Sequence, residues 1–218
     1  MLAGCGLELA PPEVAGHPAV RRTAAHAGKR PSAVLLDQNL HASALAKLPD
    51  GKRRGRPDIV HTTLLVALES PLAKADRLEV ALHTRGGELI RIRKGTRPPR
   101  DGARFAGLMA KVLAEGRSQD QDPLVWSEGA CSPAQALERV GKGPVVRLDE
   151  GGVAMDPMGL AGRAEGGELT LVLGAFPSGD FEADWKLAAP ETASVWPTSL
   201  NAWAVAAEVV AGFRARWP

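Results

Sequence analysis

The sequence has few of the features by which whole classes of protein are recognised. Among its 218 residues there is no tyrosine and there are only two cysteines, Cys5 and Cys131, which are far apart. They stand in no metal-binding spacing, so we expect neither a bound metal ion nor a disulfide framework, as in a reducing compartment. No apolar run reaches the length of a membrane span. We therefore expect a cytoplasmic protein that does not enter a membrane.

Three further absences narrow the possible functions. Residues 2–5 resemble a lipoprotein cleavage box, but no charged or apolar segment precedes it, so we expect no signal peptide. The glycine-rich spacings that bind dinucleotides or nucleoside triphosphates are missing, which argues against both ligands. The 27 Lys and Arg residues nearly balance the 25 Asp and Glu residues, giving a net charge of +2. Any attraction to a polyanion must therefore come from local clusters of basic residues.

Predicted strands and helices alternate along the chain, which favours a single α/β domain over residues 1–218. We predict strands at 7–9, 33–36, 78–84, 88–92, 145–149 and 169–173, and helices at about 58–68, 105–113, 133–140 and 201–216. The last helix has an apolar face, which we interpret as a core or dimer contact, formed by Trp203, Ala206, Ala207, Val210, Phe213 and Trp217. General topology rules predict an unknotted sheet.

Residues 48–72 combine a basic loop with an apolar helix. Three arginines, Arg53, Arg54 and Arg56, precede Pro57, which suits the first position of a helix. The helix that follows is apolar on nearly all sides and is therefore expected to be buried. A buried helix would fix the arginines in place, as recognition of a phosphate chain requires, and Asp58 is placed to orient Arg56. The alternative is a solvated basic loop before a core helix.

A second basic segment contains Arg97, Arg100 and Arg104. Two prolines hold the chain extended, so the arginines project from a loop and from the first turn of the helix after it. Cations near a helix N-terminus are unfavourable for that helix, so this placement indicates an external anion. The alternative is that these are ordinary solvated side chains.

Ligand groups in a parallel sheet gather at the carboxyl ends of its strands. The continuous apolar strand at 169–173 leads into a loop of small residues at 174–180, which fits such a position. Asp37 and His41 follow the predicted strand at 33–36 and are weaker candidates. Asp37 is as compatible with a turn as with a general base.

Within residues 48–72, the sequence RRGRPDIVH followed by LLVALESPL resembles a family of ribosome-biogenesis methyltransferases. These SPOUT-class enzymes act on N1 of a pseudouridine in small-subunit ribosomal RNA. The likeness covers nearly the whole chain and is weakest from 116 to 144; Asn201 stands where relatives often have Asp. It implies S-adenosylmethionine as cofactor, a homodimer, an open and mostly parallel sheet with helices on both faces, and a trefoil knot within about residues 145–218.

The resemblance also implies roles for individual residues. The pattern T-R-x-P-R-x-x-x-R-F marks Arg97, Arg100 and Arg104 as RNA contacts. Arg56 matches a further RNA-contacting arginine, and we predict that it stabilises charge on the target base while Asp58 steadies it. The patterns G-A-x-x-x-G and S-x-x-P mark the cofactor positions, namely Leu148, Gly174, Gly179, Ala193, Ser194, Val195, Trp196, Pro197 and Thr198.

Two alternatives to this function remain at this point. An arginine-lined groove would serve a non-catalytic RNA-binding assembly factor equally well. A SPOUT enzyme could also methylate another atom of RNA, such as a ribose hydroxyl.

Overall fold

The computed structural model describes residues 1–164 and 166–216, so Trp217 of the predicted apolar face lies outside the described residues. In these residues the chain forms one seven-stranded sheet with strand order β4-β3-β2-β1-β6-β5-β7. The strands are β1 (Leu2–Cys5), β2 (Ala81–Thr84), β3 (Glu88–Ile92), β4 (Val125–Ala130), β5 (Val145–Ala154), β6 (Thr170–Gly174) and β7 (Thr192–Ser194).

Most of the sheet is parallel. Strand β1 pairs in parallel with both β2 and β6, so that Leu2 lies opposite Leu82 on one side and Leu173 on the other. Strand β5 pairs in parallel with β6 and β7. The strands predicted at 78–84 and 88–92 form a hairpin, because β2 and β3 are antiparallel and joined by a short turn, and β4 continues this antiparallel end.

The helices cover both faces of the sheet. They are α1 (Pro12–Ala15), α2 (Pro18–His26), α3 (Gln38–Leu45), α4 (Pro57–Leu68), α5 (Pro71–Lys74), α6 (Gly102–Glu115), α7 (Pro133–Val140), α8 (Pro157–Ala161), α9 (Ala183–Ala188) and α10 (Ala202–Arg216). Neighbouring residues of β1 show the two faces, because Leu2 packs in the cluster of α4 and α6, whereas Ala3 packs with Trp185 of α9. The fold class is therefore the predicted one, and the trefoil knot stays a prediction.

Helix α4 lies at the centre of the main core. It begins at Pro57, as predicted, and Val60 and Leu64 are almost completely buried. It packs against α10 and α6, whose Phe105 and Met109 are also buried. The C-terminal helix is confirmed too, although Ala207 of its predicted apolar face is exposed. A central helix of this kind holds its first residues rigidly, and Arg56 precedes them directly.

Two predicted strands are wrong. Residues 7–9 and 33–36 meet only in one isolated antiparallel bridge, between Leu9 and Leu35, outside the sheet. Pro31 starts a 3₁₀ turn at Pro31–Ala33, which takes up Ala33, the first residue of the second predicted strand. The first strand is instead β1, whose small residues gave no strand signal, and β4 was not predicted.

Within residues 1–164 and 166–216, no helix is both long and apolar enough to span a membrane. In the same residues, no three His, Cys, Asp or Glu side chains are grouped so that they could hold a metal ion.

Candidate active site

A cavity of about 790 Å³ opens at the carboxyl ends of β5, β6 and β7. Its wall is built from the loops that follow these strands and from the start of α10. Of the predicted cofactor residues, those that line it are Leu148, Gly174, Gly179, Ala193, Ser194, Val195, Trp196 and Thr198, whereas Pro197 does not. Residues far apart in sequence therefore meet around one space because parallel strands end at the same edge.

A bend in β5 shapes one wall of this cavity. The pairing of β5 with β7 shifts between Leu148 and Val153, so the residues between them bulge out of the sheet. A Cβ atom on Gly152 would lie 2.7 Å from the backbone carbon of Ala193, so only glycine fits there. The bulge carries Asp149 and Glu150, which line the cavity. Sequence reasoning did not assign these two carboxylates to the site.

The structure of the chain itself explains why the two predicted cofactor positions, Gly174 and Gly179, are occupied by glycine. A Cβ atom on Gly174 would lie 2.7 Å from the ring of Phe176. Gly179 has a φ of +83°, a conformation that side chains disfavour. Packing therefore accounts for Gly174 and backbone conformation for Gly179, so a bulky substitution at Gly179 would strain the loop backbone before it met any ligand.

Arg56 lines the same cavity, together with Ile59 of α4. Its guanidinium donates two parallel hydrogen bonds to Asp58, from Nε to Oδ1 at 2.8 Å and from Nη2 to Oδ2 at 2.7 Å. These bonds raise the pKa of Arg56 and lower the pKa of Asp58. The backbone N–H of Arg56 also donates to the carbonyl of Gly6, just beyond β1, at 3.0 Å. Both the backbone and the side chain of Arg56 are thus held.

The other arginines of the basic loop are tied to the protein. Arg54 donates to both carboxylate oxygens of Glu8. Arg53 donates to the carbonyl of Asp180 at 2.8 Å and lies over the ring of Phe176, 5.1 Å from its centre. Arg53 therefore connects the basic loop to the loop after β6, and Arg56 is the arginine of this loop that lines the cavity.

Arg97, Arg100 and Arg104 are placed differently. All three are exposed, none lines the cavity, and within the described residues their guanidinium groups have no hydrogen-bond or ion-pair partner. Asp101 caps α6 by accepting a hydrogen bond from the backbone N–H of Arg104 at 2.8 Å. The arginine segment is therefore ordered at its backbone, while its three charges face solvent.

His61 connects this arginine segment to α4. Its Nε2 lies 2.6 Å from the carbonyl oxygen of Pro99, and its ring stacks on Phe105 at 4.5 Å. Asp58 lies one turn earlier on the same helix. Helix α4 thus carries both the acid that orients Arg56 and the side chain that fixes the arginine segment. Sequence reasoning missed His61, although its position in the motif RRGRPDIVH was a possible signal.

Asp37 and His41 do not belong to the cavity lining. Asp37 caps α3 by accepting the backbone N–H of Asn39 at 2.7 Å. His41 is fully buried, with Nδ1 2.9 Å from the backbone nitrogen of Asp37 and Nε2 2.9 Å from the hydroxyl of Thr23. The side chain of His41 thus joins α3 to α2 and that of Asp37 caps α3, while the predicted strand at 33–36 that was to place them at a sheet edge is not part of the sheet.

The fold and the site together define a class of protein, an α/β protein with a ligand cavity at the carboxyl edge of its sheet and an oriented arginine beside it. A model of the EMG1/NEP1 methyltransferase family matches residues 1–214. The chain belongs to this family.

Relatives are similar over nearly their whole length. The chain is 39% identical to the ribosomal RNA small subunit methyltransferase Nep1 of Methanothrix thermoacetophila, over 98% of this chain and 93% of the relative. It is also 39% identical to the Nep1 of Thermococcus onnurineus, over 98% and 96%. The crystal structure of Archaeoglobus fulgidus Nep1 bound to S-adenosylhomocysteine superimposes with a TM-score of 0.87 at 33% identity, covering 99% of this chain and 96% of that one.

Proposed function

We propose that this protein transfers a methyl group from S-adenosylmethionine to N1 of a pseudouridine in small-subunit ribosomal RNA during ribosome biogenesis. The observation that carries the proposal is the position of Arg56, a doubly hydrogen-bonded cation at the wall of a cavity formed by the loops after three strands. The names of the relatives support ribosomal RNA of the small subunit as substrate.

The residues around the cavity suit S-adenosylmethionine. Glu150 offers negative charge to a ligand that carries a sulfonium and an ammonium group, and so does Asp149, although Asp149 is also paired with Arg147 at 3.5 Å. The apolar wall formed by Leu148, Leu173 and Ala193 suits the adenine ring. A relative bound to S-adenosylhomocysteine supports the same ligand class. When bound, S-adenosylmethionine supplies an activated methyl group.

The chain's own contribution is positioning and charge. Pseudouridine has a free ring nitrogen, N1, and its loss of a proton leaves negative charge on the base. A guanidinium fixed in advance stabilises such charge without having to reorganise during the reaction. Asp58 keeps the planar group of Arg56 in one orientation, and Arg97, Arg100 and Arg104 bind phosphates so that the base is held near the cavity. We also propose a homodimer, following the family resemblance, which light scattering would test.

Methylation of two RNA hairpins that differ only by pseudouridine or uridine at the target tests the proposal. We expect methyl transfer to the pseudouridine hairpin and none to the uridine hairpin. Binding of S-adenosylmethionine and RNA without any methylation would favour a non-catalytic assembly factor. A product nucleoside methylated on its ribose would show that the enzyme acts on another RNA atom.

A further inference from the structure

A second basic surface lies on α2 and the loop after it. Residues 14–36 contain no Asp or Glu but four Lys or Arg residues, Arg21, Arg22, Lys29 and Arg30, which we call the α2 basic surface. All four are exposed, and within residues 1–164 and 166–216 none of their charged groups has a hydrogen-bond or ion-pair partner. The function derived so far does not use them.

The helix geometry directs part of this charge outward. Val20 and Ala24 are buried and fix the inner side of α2. At 100° per residue, Arg22 lies directly opposite these two residues, whereas Arg21 lies about 80° from them, on one flank of the helix. Several cations elsewhere on the surface are paired with an acid, as with Arg91 and Glu128 or Lys142 and Glu79. The α2 basic surface carries only positive charge, and within the described residues its charges are not paired with acids. Solubility is usually achieved with both signs interspersed, whereas a surface of positive charge alone is suited to attracting a polyanion.

The α2 basic surface is connected to the loop that carries Arg56 through a series of hydrogen bonds. Thr23 of α2 bonds to His41 of α3, whose other ring nitrogen accepts the N–H of Asp37. The next residue, Gln38, donates its backbone N–H to the carbonyl of Gly55 at 2.7 Å, and Gly55 immediately precedes Arg56. On its other side, the 3₁₀ turn at Pro31–Ala33, which follows Arg30, lies against α6, the helix that carries Arg104.

We propose that the α2 basic surface binds the phosphate backbone of the substrate RNA outside the segment that contains the methylated base. The inference rests on the proposed function, because it assumes an RNA substrate held by Arg97, Arg100 and Arg104. It extends that function, because the protein would then recognise a longer part of the RNA than the loop that contains the methylated base. A nucleic-acid strand can reach these regions because the turn after Arg30 contacts α6, while α2 is linked through α3 to the basic loop.

The test compares two hairpins with the same loop, one with a short stem and one with the stem extended by a full helical turn. The variant is Arg21→Gln with Arg22→Gln, and the matched control is Lys74→Gln with Arg77→Gln, two exposed and unpaired cations near the amino edge of the sheet. Binding of each protein to each RNA is measured as a function of salt concentration.

We expect the α2 variant to lose about 0.7 to 0.9 in log–log salt slope per contact on the extended hairpin, with no change on the short one. The control should match the unaltered protein on both. Equal slopes for the α2 variant and the unaltered protein on the extended hairpin would overturn the inference. If Arg97→Ala still lowers the slope, the proposed function survives that result. Loss of binding to anionic phospholipid vesicles, with RNA binding unchanged, would assign the surface to a membrane instead and would also overturn it.

Discussion

Arg56 and the arginines of the segment 97–104 differ in how the protein holds them. Arg56 is bound through two hydrogen bonds to Asp58 and through its backbone to Gly6. The guanidinium groups of Arg97, Arg100 and Arg104 contact no partner in the described part of the chain. A held arginine can act through its geometry, whereas a free one acts through its charge. The following predictions test this distinction, from the largest expected effect to the smallest.

The largest effect should come from Arg56. Arg56→Ala should lower single-turnover methylation by about 10² to 10³, the usual loss when one oriented charge-stabilising group is removed. Arg56→Lys keeps the charge but loses the planar pair of donors, so it should also be strongly impaired. Methylation by Arg56→Lys at the unaltered rate would show that the geometry of this arginine is unimportant.

Asp58→Ala should have the next largest effect, because it releases Arg56. If orientation is its role, the double variant with Arg56→Ala should turn over no more slowly than Arg56→Ala alone. Asp58 also lies in the first turn of α4, so a loss of stability of up to about 1 kcal/mol is expected as well. Thermal melts measured beside single-turnover rates separate the two roles. A lower melting temperature with normal turnover per folded molecule would make Asp58 purely structural.

Replacing Arg97, Arg100 or Arg104 singly by Ala should weaken binding to every RNA sequence and flatten the salt dependence by about 0.7 to 0.9 in log–log slope. Replacement by Lys should restore most of this slope, in contrast to Arg56, because only charge is required. Calorimetry should show unchanged binding of S-adenosylmethionine. Three Ala variants with the unaltered slope would identify these residues as ordinary surface charges.

His61→Phe should have a smaller effect. The ring still stacks on Phe105, but the contact with the carbonyl of Pro99 is lost. A net hydrogen bond contributes about 0.5 to 1.5 kcal/mol, so RNA affinity should fall by roughly 2- to 10-fold if the contact fixes the arginine segment. Binding of S-adenosylmethionine, measured in the same samples, should not change. A fall in both affinities would indicate general damage to α4.

The smallest effect concerns pH. Burial is the main reason why the pKa of His41 lies below its usual value of 6.5. The folded state therefore favours neutral His41, and its contribution to stability is present above about pH 6.5 and is lost as the pH falls towards the folded-state pKa. Unfolding of His41→Gln, followed by urea at several pH values, should show a weaker rise in stability from acid to neutral pH. His83, whose pKa is also lowered by burial, remains in both proteins. An unchanged slope would assign the acid sensitivity to other groups.

Helices and strands with a clear hydrophobic pattern and a recognisable first residue could be predicted from the sequence. Pro57 and Pro133 each mark the first residue of a helix, and the apolar run of β6 is a central parallel strand. The loop after β6 was placed at the carboxyl edge of the sheet by strand reasoning, whereas Leu148 and residues 193–198 were assigned by the family resemblance. The family resemblance supplied what these patterns do not contain, namely the cofactor and the target atom.

Other features depend on tertiary structure that sequence patterns do not report. The residues of β1 include Ala3 and Gly4, which have little preference for strands, and they are in the sheet because β2 and β6 lie on either side. Strand β4 mixes Ser127, Glu128 and Gly129 at an edge of the sheet, so it has no clear alternation. The contact of His61 with the carbonyl of Pro99 and that of His41 with the hydroxyl of Thr23 likewise appear only once the chain has folded.

The pairing of β1 with β6 has a consequence for the order of assembly. Residues 2–5 find one of their two partner strands only at 170–174, so the middle of the sheet closes late, after most of the polypeptide has left the ribosome. The backbone of Arg56 is bonded to Gly6, immediately beyond β1. A nascent chain whose arginines have already been synthesised therefore lacks the paired β1 that holds the backbone of Arg56 in place. The orientation that we propose for Arg56 towards a base is therefore expected only in the finished protein, when the cavity at the ends of β5, β6 and β7 has also formed.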